Sequence, residues 1–587
     1  MNNLIGAPKP APRTATEFYD AAIDAYESGD TGHAQALASQ ALVENPQHAG
    51  ALFMLGSLLL NAGDTAAALP NLEAASRYAP NKGVVWRVLG SAYFALQRWP
   101  ETIYSLQNAV RAGLNDARIL NQLGLALKEL GNISAAIAAY RDALALNAHD
   151  PDLYNNLAVA LNRQHDYVAA IAAYRNAITL DPSRADIWSN LATLYEQANM
   201  LDEAEQAVSR GLALAPQQEH LHLIAAKCER RRGAYKAAVL RLKSVLQNEG
   251  MDVNVRWAME FELGRDYDRL GDADQAYQYF LEGNRQTLQL WPELAQGARH
   301  YRREMGAMAD FFQTFPFATL RSAAGIGPLP AQNPVFLVGF PRSGTTLLDT
   351  ILDAHPGISV LEEEPFIDQI IETLGQHPAG YPQALSRLTA ADLDEMRTRY
   401  WHALEQQLGD KAHTTLVVDK NPFFSAHAAL IHLLFPEARF IFSLRHPCDV
   451  ILSCFMQPFG RNPVLANLCD LQTATQLYCL VMDLWLHYRK QLPLKVHELR
   501  YEALVENKDG EIRTLLDFLE LEWAEGLSDH TAHARGRGRI YTPSYHQVIQ
   551  PVYRDALYRW KRYARHLAPT IETLRPLAKT LGYEIEI

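Results

Sequence analysis

The chain has 587 residues, 48% apolar and 20% charged, with a formal net charge of −12, an ordinary globular composition with room for two or more cores. The acidic balance argues against a nucleic-acid partner but leaves room for a local basic pocket. No segment approaches the ~18 uninterrupted apolar residues of a membrane span, and MNNLIGAPKPAPRTATEF has no apolar signal core, so a cytoplasmic chain without a membrane partner is expected.

Residues 1–14 read as a flexible N-terminus. From 15 to 290 the sequence repeats with a period of 34. Small residues recur at Gly56, Gly90, Gly124, Ala158, Ala192 and Ala226, then at Ala68, Ala136, Ala170, Ala204 and Ala238, and prolines at Pro46, Pro80, Pro182 and Pro216. This is the tetratricopeptide pattern, in which small residues let helix A approach helix B while aromatic residues such as Tyr140, Tyr174 and Trp188 fill the gaps. A degenerate first unit at about 15–48 and a last one around Gly264, Tyr267, Ala276 and Phe280 bring the array to about eight units. Such a solenoid offers a groove for a peptide or protein partner, or serves as a spacer or oligomerisation surface. Residues 291–333 lose the period and gather Pro and Gly, which predicts a linker before a second domain at 334–587.

That domain opens on VFLVGFPRSGTT (335–346). An apolar strand runs into a turn bounded by Gly339 and Gly344, the spacing of a phosphate-binding loop, but Thr345 stands where the usual lysine would be. Backbone N–H groups and the start of the helix that begins near Thr346 still suit an anion. Short β-rich runs at Leu416–Asp419 and Arg439–Leu444 alternate with helical stretches at Ala426–Phe435 and Cys469–Leu492. The pattern predicts a parallel α/β sheet with ligands at the carboxyl ends of its strands. Five cysteines (Cys228, Cys448, Cys454, Cys469, Cys479) have neither disulfide-framework nor zinc-ligand spacing, so reduced thiols and no metal site are expected.

Pro341–Pro365 (PRSGTTLLDTILDAHPGISVLEEEP), followed in order by DKNPF (Asp419–Phe423), FSLRHPCDVILS (Phe442–Ser453), ELRYEALV (Glu498–Val505) and SYHQVIQPV (Ser544–Val552), resembles the sulfotransferases, most closely the protein-tyrosine sulfotransferases. The resemblance implies a P-loop-like α/β fold and 3′-phosphoadenosine-5′-phosphosulfate (PAPS) as donor. Glu363 falls where the family keeps its general base, which a tyrosine hydroxyl titrating near pH 10 requires. Arg342 and Lys420 would put positive charge on the transferring group and the leaving phosphate, and Ser544 matches a serine beside the sulfuryl group. Ser343, Gly344, Thr345 and Thr346 would cradle the 5′-phosphosulfate. Arg445 and Ser453 match the pair that reads the 3′-phosphate. Tyr501 packs near the adenine or serves as a structural aromatic, and ARGRGRI (534–540) is a basic flap or a solvated loop.

Two departures weaken an acidic-tyrosine substrate: Pro365 and Gln550 stand where the tyrosine sulfotransferases carry basic residues. Three functions stay open. The first is sulfation of a tyrosine in a peptide or protein presented by the array. The second is sulfation of a glycan or small-molecule hydroxyl, with the repeats used for assembly. The third is a scaffold with a degenerate nucleotide fold, against which the joint retention of Arg342, Glu363, Lys420, Arg445 and Ser453 argues.

Overall fold

A computed structural model describes residues 14–318, 333–527 and 556–586. The chain divides into two compact units, Met1–Cys228 and Glu229–Ile587. Ser544 and the Arg535–Arg539 run lie outside the described residues.

Paired helices fill the N-terminal region, from α1 (Ala15–Glu27) to α16 (Ala273–Leu290). The 34-residue code is visible in their packing: Ala68, Ala136, Ala170 and Ala204 are completely buried, as are Ala75, Ala109, Ala143 and Ala177, because a larger side chain would push helix B off helix A. The turn before helix B is coded too. Asp30, Asp64, Asn132 and Asp166 each cap the following helix by accepting an N–H from its first turn, whereas Arg98 and Met200 fill that place without a side-chain cap. The repeat prolines act through their carbonyls: Trp86 Nε1 donates to Pro80 O (2.7 Å) and Trp188 Nε1 to Pro182 O (3.0 Å).

The second unit begins with the end of the repeat pattern. α15 (Val253–Leu270) and α16 form the last pair, and the stretch predicted as a linker holds a 22-residue helix, α17 (Glu293–Thr314). These helices share one hydrophobic core with the α/β domain, with Phe261, Phe280, Met305, Met308 and Phe312 packed together with residues such as Phe336, Phe340 and Tyr488. Polar contacts fix the same arrangement. Asn284 Nδ2 donates to Phe455 O (2.7 Å), Tyr563 Oη donates to Asp268 (2.7 Å), and Tyr277 stacks on His566 at 4.1 Å. The loss of the 34-residue period therefore marks a change of packing partner, since α17 answers to the α/β core.

The α/β domain runs β1 (Val335–Val338), α18 (Thr345–Asp353), β2 (Ile358–Glu362), α19 (Phe366–Gly375), α20 (Ala390–Leu408), α21 (Lys411–Thr414), β3 (Leu416–Lys420), α22 (Ala428–Leu434), β4 (Arg439–Leu444), α23 (Pro447–Phe455), α24 (Leu471–Gln491), β5 (Lys495–Arg500), α25 (Tyr501–Glu506), α26 (Lys508–Leu519) and α27 (Ala564–Thr580). The sheet order is β2-β3-β1-β4-β5, all parallel. β1, VFLV, is buried on both faces, as an apolar run in a parallel sheet demands. The expected α and α/β architecture is what the structure has.

One buried group in α15 gives a stability prediction. Asp266 is fully buried and neither carboxyl oxygen has a hydrogen-bond partner among the described residues. Burial, reinforced by the Glu262 charge, pushes its pKa up to about 8. A folded pKa above the unfolded value stabilises the protein at low pH, and this contribution is lost as pH rises through about 8. Asp266→Asn should remove about 1 kcal/mol of the stability lost between pH 7 and 9, measured by denaturation of the full chain at both pH values. An unaltered pH dependence would show that Asp266 is already ionised in the folded protein at pH 7.

Candidate active site

Each strand hands one candidate residue to the carboxyl edge of the sheet: Arg342 follows β1, Glu363 follows β2, Lys420 ends β3, Arg445 follows β4 and Tyr501 follows β5. This is where an open parallel sheet forms its ligand crevice, because the strand ends diverge there into loops.

The loop after β1 depends on its two glycines. A Cβ on Gly339 would lie 2.6 Å from the Ser443 carbonyl oxygen, and Gly344 combines φ +108° with a position 2.7 Å from Tyr501 Cδ2. No L side chain fits either place. The loop is braced from below by Ser425 Oγ, which donates to Gly339 O (2.8 Å), and Ser443 Oγ, which donates to Ser343 O (3.1 Å). Thr345 and Thr346 are buried at the start of α18, whose first N–H groups lack intrahelical partners and favour an anion.

Two clusters flank this loop. On one side, Arg342 Nε donates to Ser453 Oγ (3.1 Å) on α23, Arg445 Nη1 donates to Arg342 O (3.2 Å), and Arg445 Nη2 donates to Ala556 O (2.6 Å). The Arg445 guanidinium lies 4.6 Å over the Tyr501 ring. Arg445 Nε and Ser343 Oγ are buried with no hydrogen-bond partner among the described residues. Two orphaned donors beside a helix N-terminus fit an anionic ligand, which would repay their desolvation.

On the other side, Lys420 is completely buried and reaches three carboxylates: Glu363 Oε1 at 2.9 Å, Glu362 Oε1 at 3.4 Å and Asp349 Oδ2 at 3.4 Å. Burial by itself pushes its ammonium down, but Asp349, Glu363 and Glu362 together hold it above the ordinary lysine value. Asp349 escaped sequence reasoning, although a lone carboxylate inside the apolar helix TTLLDTILD was the available signal. The Glu363 carboxylate, 48% exposed, faces outward from the same cluster. Its backbone is left-handed (φ 56°), as is that of Arg342 (φ 71°), and the Glu363 N–H donates to Lys420 O (2.8 Å). Strained backbone at both places is held by its surroundings, a feature concentrated at working sites.

A cavity of about 930 Å³ opens between these groups and α17. Arg342, Thr345, Thr346 and Glu363 line one end, while Tyr301, Asp368 and Tyr381 line the rest with Phe423 and Phe459. Lys420 sits beneath this wall. Tyr381 Oη and His427 Nδ1 share a hydrogen bond of 2.9 Å, and burial lowers the His427 pKa to about 4, so its imidazole is neutral at pH 7. The expected site residues that lie among the described residues are therefore all brought to this edge of the sheet.

The pattern of the Sulfotransferase family matches residues 334–525, and that of the Tetratricopeptide repeat matches 19–69, 53–117, 121–185 and 161–228. Protein-tyrosine sulfotransferase A of Caenorhabditis elegans is 25% identical over 300 residues, 49% of this chain and 77% of that protein. An uncharacterised protein of Aquifex aeolicus (strain VF5) is 27% identical over 58% of this chain, and nodulation protein NoeE of Sinorhizobium fredii (strain NBRC 101917 / NGR234) is 32% identical over 32% of it. The chain spans 44% of the Aquifex protein and 50% of NoeE. The loop, the strand-end residues and these matches together make the chain a tetratricopeptide-repeat region fused to a sulfotransferase-family domain, distantly related to the protein-tyrosine sulfotransferases.

Proposed function

We propose that the chain is a PAPS-dependent sulfotransferase whose acceptor is a tyrosine hydroxyl of a peptide or protein presented by the repeat array, acting in the cytoplasm. The observation that carries this is the pairing of an anion-ready loop, flanked by Arg342, Arg445 and Ser453, with a carboxylate, Glu363, that faces the same cavity. Ser343 to Thr346 would hold the 5′-phosphosulfate, with Arg445 and Ser453 at the 3′-phosphate and Tyr501 beside the adenine. Glu363 takes the acceptor proton as the acceptor oxygen forms its bond to sulfur. Arg342, and Lys420 from beneath, meet the charge left on the bridging oxygen as the sulfur–oxygen bond to the 5′-phosphate breaks. Ser544, outside the described residues, is proposed beside the sulfuryl group on resemblance alone. Domain limits of 15–290 and 334–587 are proposed for the two functions, with α17 belonging physically to the second.

The testing experiment is ligand-dependent unfolding. The product nucleotide 3′-phosphoadenosine-5′-phosphate (PAP) should raise the melting temperature without Mg²⁺, and ATP should raise it much less, since binding to the native state alone stabilises by mass action. Arg445→Ala should erase most of the difference between the two ligands. Equal shifts from both, or a strict need for Mg²⁺, would favour a nucleotide-hydrolysing site instead.

A further inference from the structure

The cavity beyond Glu363 has a composition that bears on the acceptor. This inference rests on the sulfotransferase function proposed above and goes on to the class of acceptor. Its walls come from α17 and α19, which supply Tyr301, Glu304, Asp368 and Glu372, and from Tyr381 on the segment after α19. Counting Glu363, four carboxylates face the space, and Arg342 is the one Arg or Lys among the described lining residues. Arg342 lies at the loop end, engaged with Ser453.

Asp368 is the most telling of these. It is half-buried, and no hydrogen bond or ion pair reaches its carboxyl among the described residues. Burial and the neighbouring Glu372 raise its pKa, with no cation among the causes that would offset them. Tyr301 lies near enough to feel the Asp368 charge, and Tyr381, on the same cavity wall, lies near enough to feel Tyr301. Tyr301 also meets Phe423 edge-on at 6.1 Å. A carboxylate bordered by aromatic rings is the arrangement that receives an ammonium or guanidinium group, through charge and through the ring faces. The same walls repel an anionic acceptor.

We propose that the acceptor of this enzyme carries a positive charge near its reacting hydroxyl, and that Asp368, with Tyr301 and Tyr381, receives that cation while the hydroxyl reaches Glu363. Asp368 is thus a specificity-determining residue. A tyrosine flanked by lysine or arginine, or an amine-bearing phenol, meets this description, whereas a tyrosine set among acidic residues does not.

Two small phenols of opposite charge isolate the cavity from the repeat array: tyramine and 4-hydroxyphenylacetate. With the full chain and PAPS, kcat/KM should favour tyramine by at least about tenfold, an effect of ~1.4 kcal/mol. Asp368→Asn should cut that ratio several-fold while leaving the PAP-induced melting shift intact. Should Asp368→Asn fail to fold, Glu372→Gln, on the exposed face of α19, should lower the ratio in the same direction. If neither phenol turns over, tyramine should still raise the melting temperature of the PAP-loaded protein more than 4-hydroxyphenylacetate does. Equal handling of the two phenols, a preference for the anion, or a ratio indifferent to these substitutions overturns the proposal. A protein that PAP does not stabilise at all would instead refute the sulfotransferase function, so the two failures are distinguishable.

Discussion

Glu363→Gln should bind PAP as the wild type does and lose turnover by about 10²–10⁴-fold, the usual contribution of a positioned acid or base. Gln keeps the volume of the side chain and the backbone N–H bond to Lys420 O (2.8 Å), so the left-handed turn at 363 survives, while the proton acceptor and its ion pair with Lys420 Nζ (2.9 Å) are removed. The groups proposed to bind the donor are tied to one another, Arg342 Nε donating to Ser453 Oγ (3.1 Å) and Arg445 Nη1 to Arg342 O (3.2 Å), and neither bond involves Glu363. The measurements are steady-state turnover with a tyrosine acceptor and the PAP-dependent melting shift on the same preparation. A near-wild-type rate would move the role to another carboxylate, with Glu362 next in line.

Lys420→Met should have the larger effect on stability. It removes the one ammonium that Asp349, Glu362 and Glu363 share, and the first two side chains are 0% and 5% exposed. Breaking a buried ion pair by deleting one partner costs about 3–5 kcal/mol, because the remaining charge is left uncompensated. Turnover should fall as well, by roughly 10²–10³-fold if Lys420 supplies charge to the leaving phosphate. The pH dependence separates this from simple loss of packing. Stranded carboxylates have folded pKa values raised above their unfolded ones, so their protonation favours the folded state, and the stability present at low pH is lost as pH rises. The gap in melting temperature between wild type and Lys420→Met should therefore narrow on going from pH 8 to pH 5. A gap that does not change with pH would mean that the carboxylates are not stranded.

Much of the molecule was legible in the sequence because its code is local. A small residue every 34 positions, an Asp or Asn before most of the second helices and a Pro at four of the repeat ends are satisfied within one helix pair, so their spacing survives in the sequence. The phosphate-type loop is legible through its glycine spacing and the positive φ of Gly344, although the crowding that requires Gly339 and Gly344 comes from Ser443 and Tyr501 on distant segments. Runs such as VFLV and RFIFSL announce buried parallel strands, whereas Arg342, Glu363, Lys420, Arg445 and Tyr501 are singled out by the sulfotransferase resemblance, and the structure places all five at strand ends.

What the tertiary structure decided depends on contacts between distant segments. Asp349 joins Lys420 across 71 positions because β1 and β3 are neighbours in the sheet, a pairing that no spacing in either segment encodes. Residues 293–314 read as the start of a linker because their apolar residues do not follow the repeat period; they form α17 because Met305, Met308 and Phe312 bury themselves in the α/β core. The charge of the acceptor cavity is likewise an outcome of packing. Tyr301 and Asp368 are unremarkable in their own helices, and they become one wall only where α17 and α19 meet over the carboxyl ends of the strands. Sequence periodicity reports what a residue does to its near neighbours along the chain, and a cavity is made by side chains that are neighbours only in space.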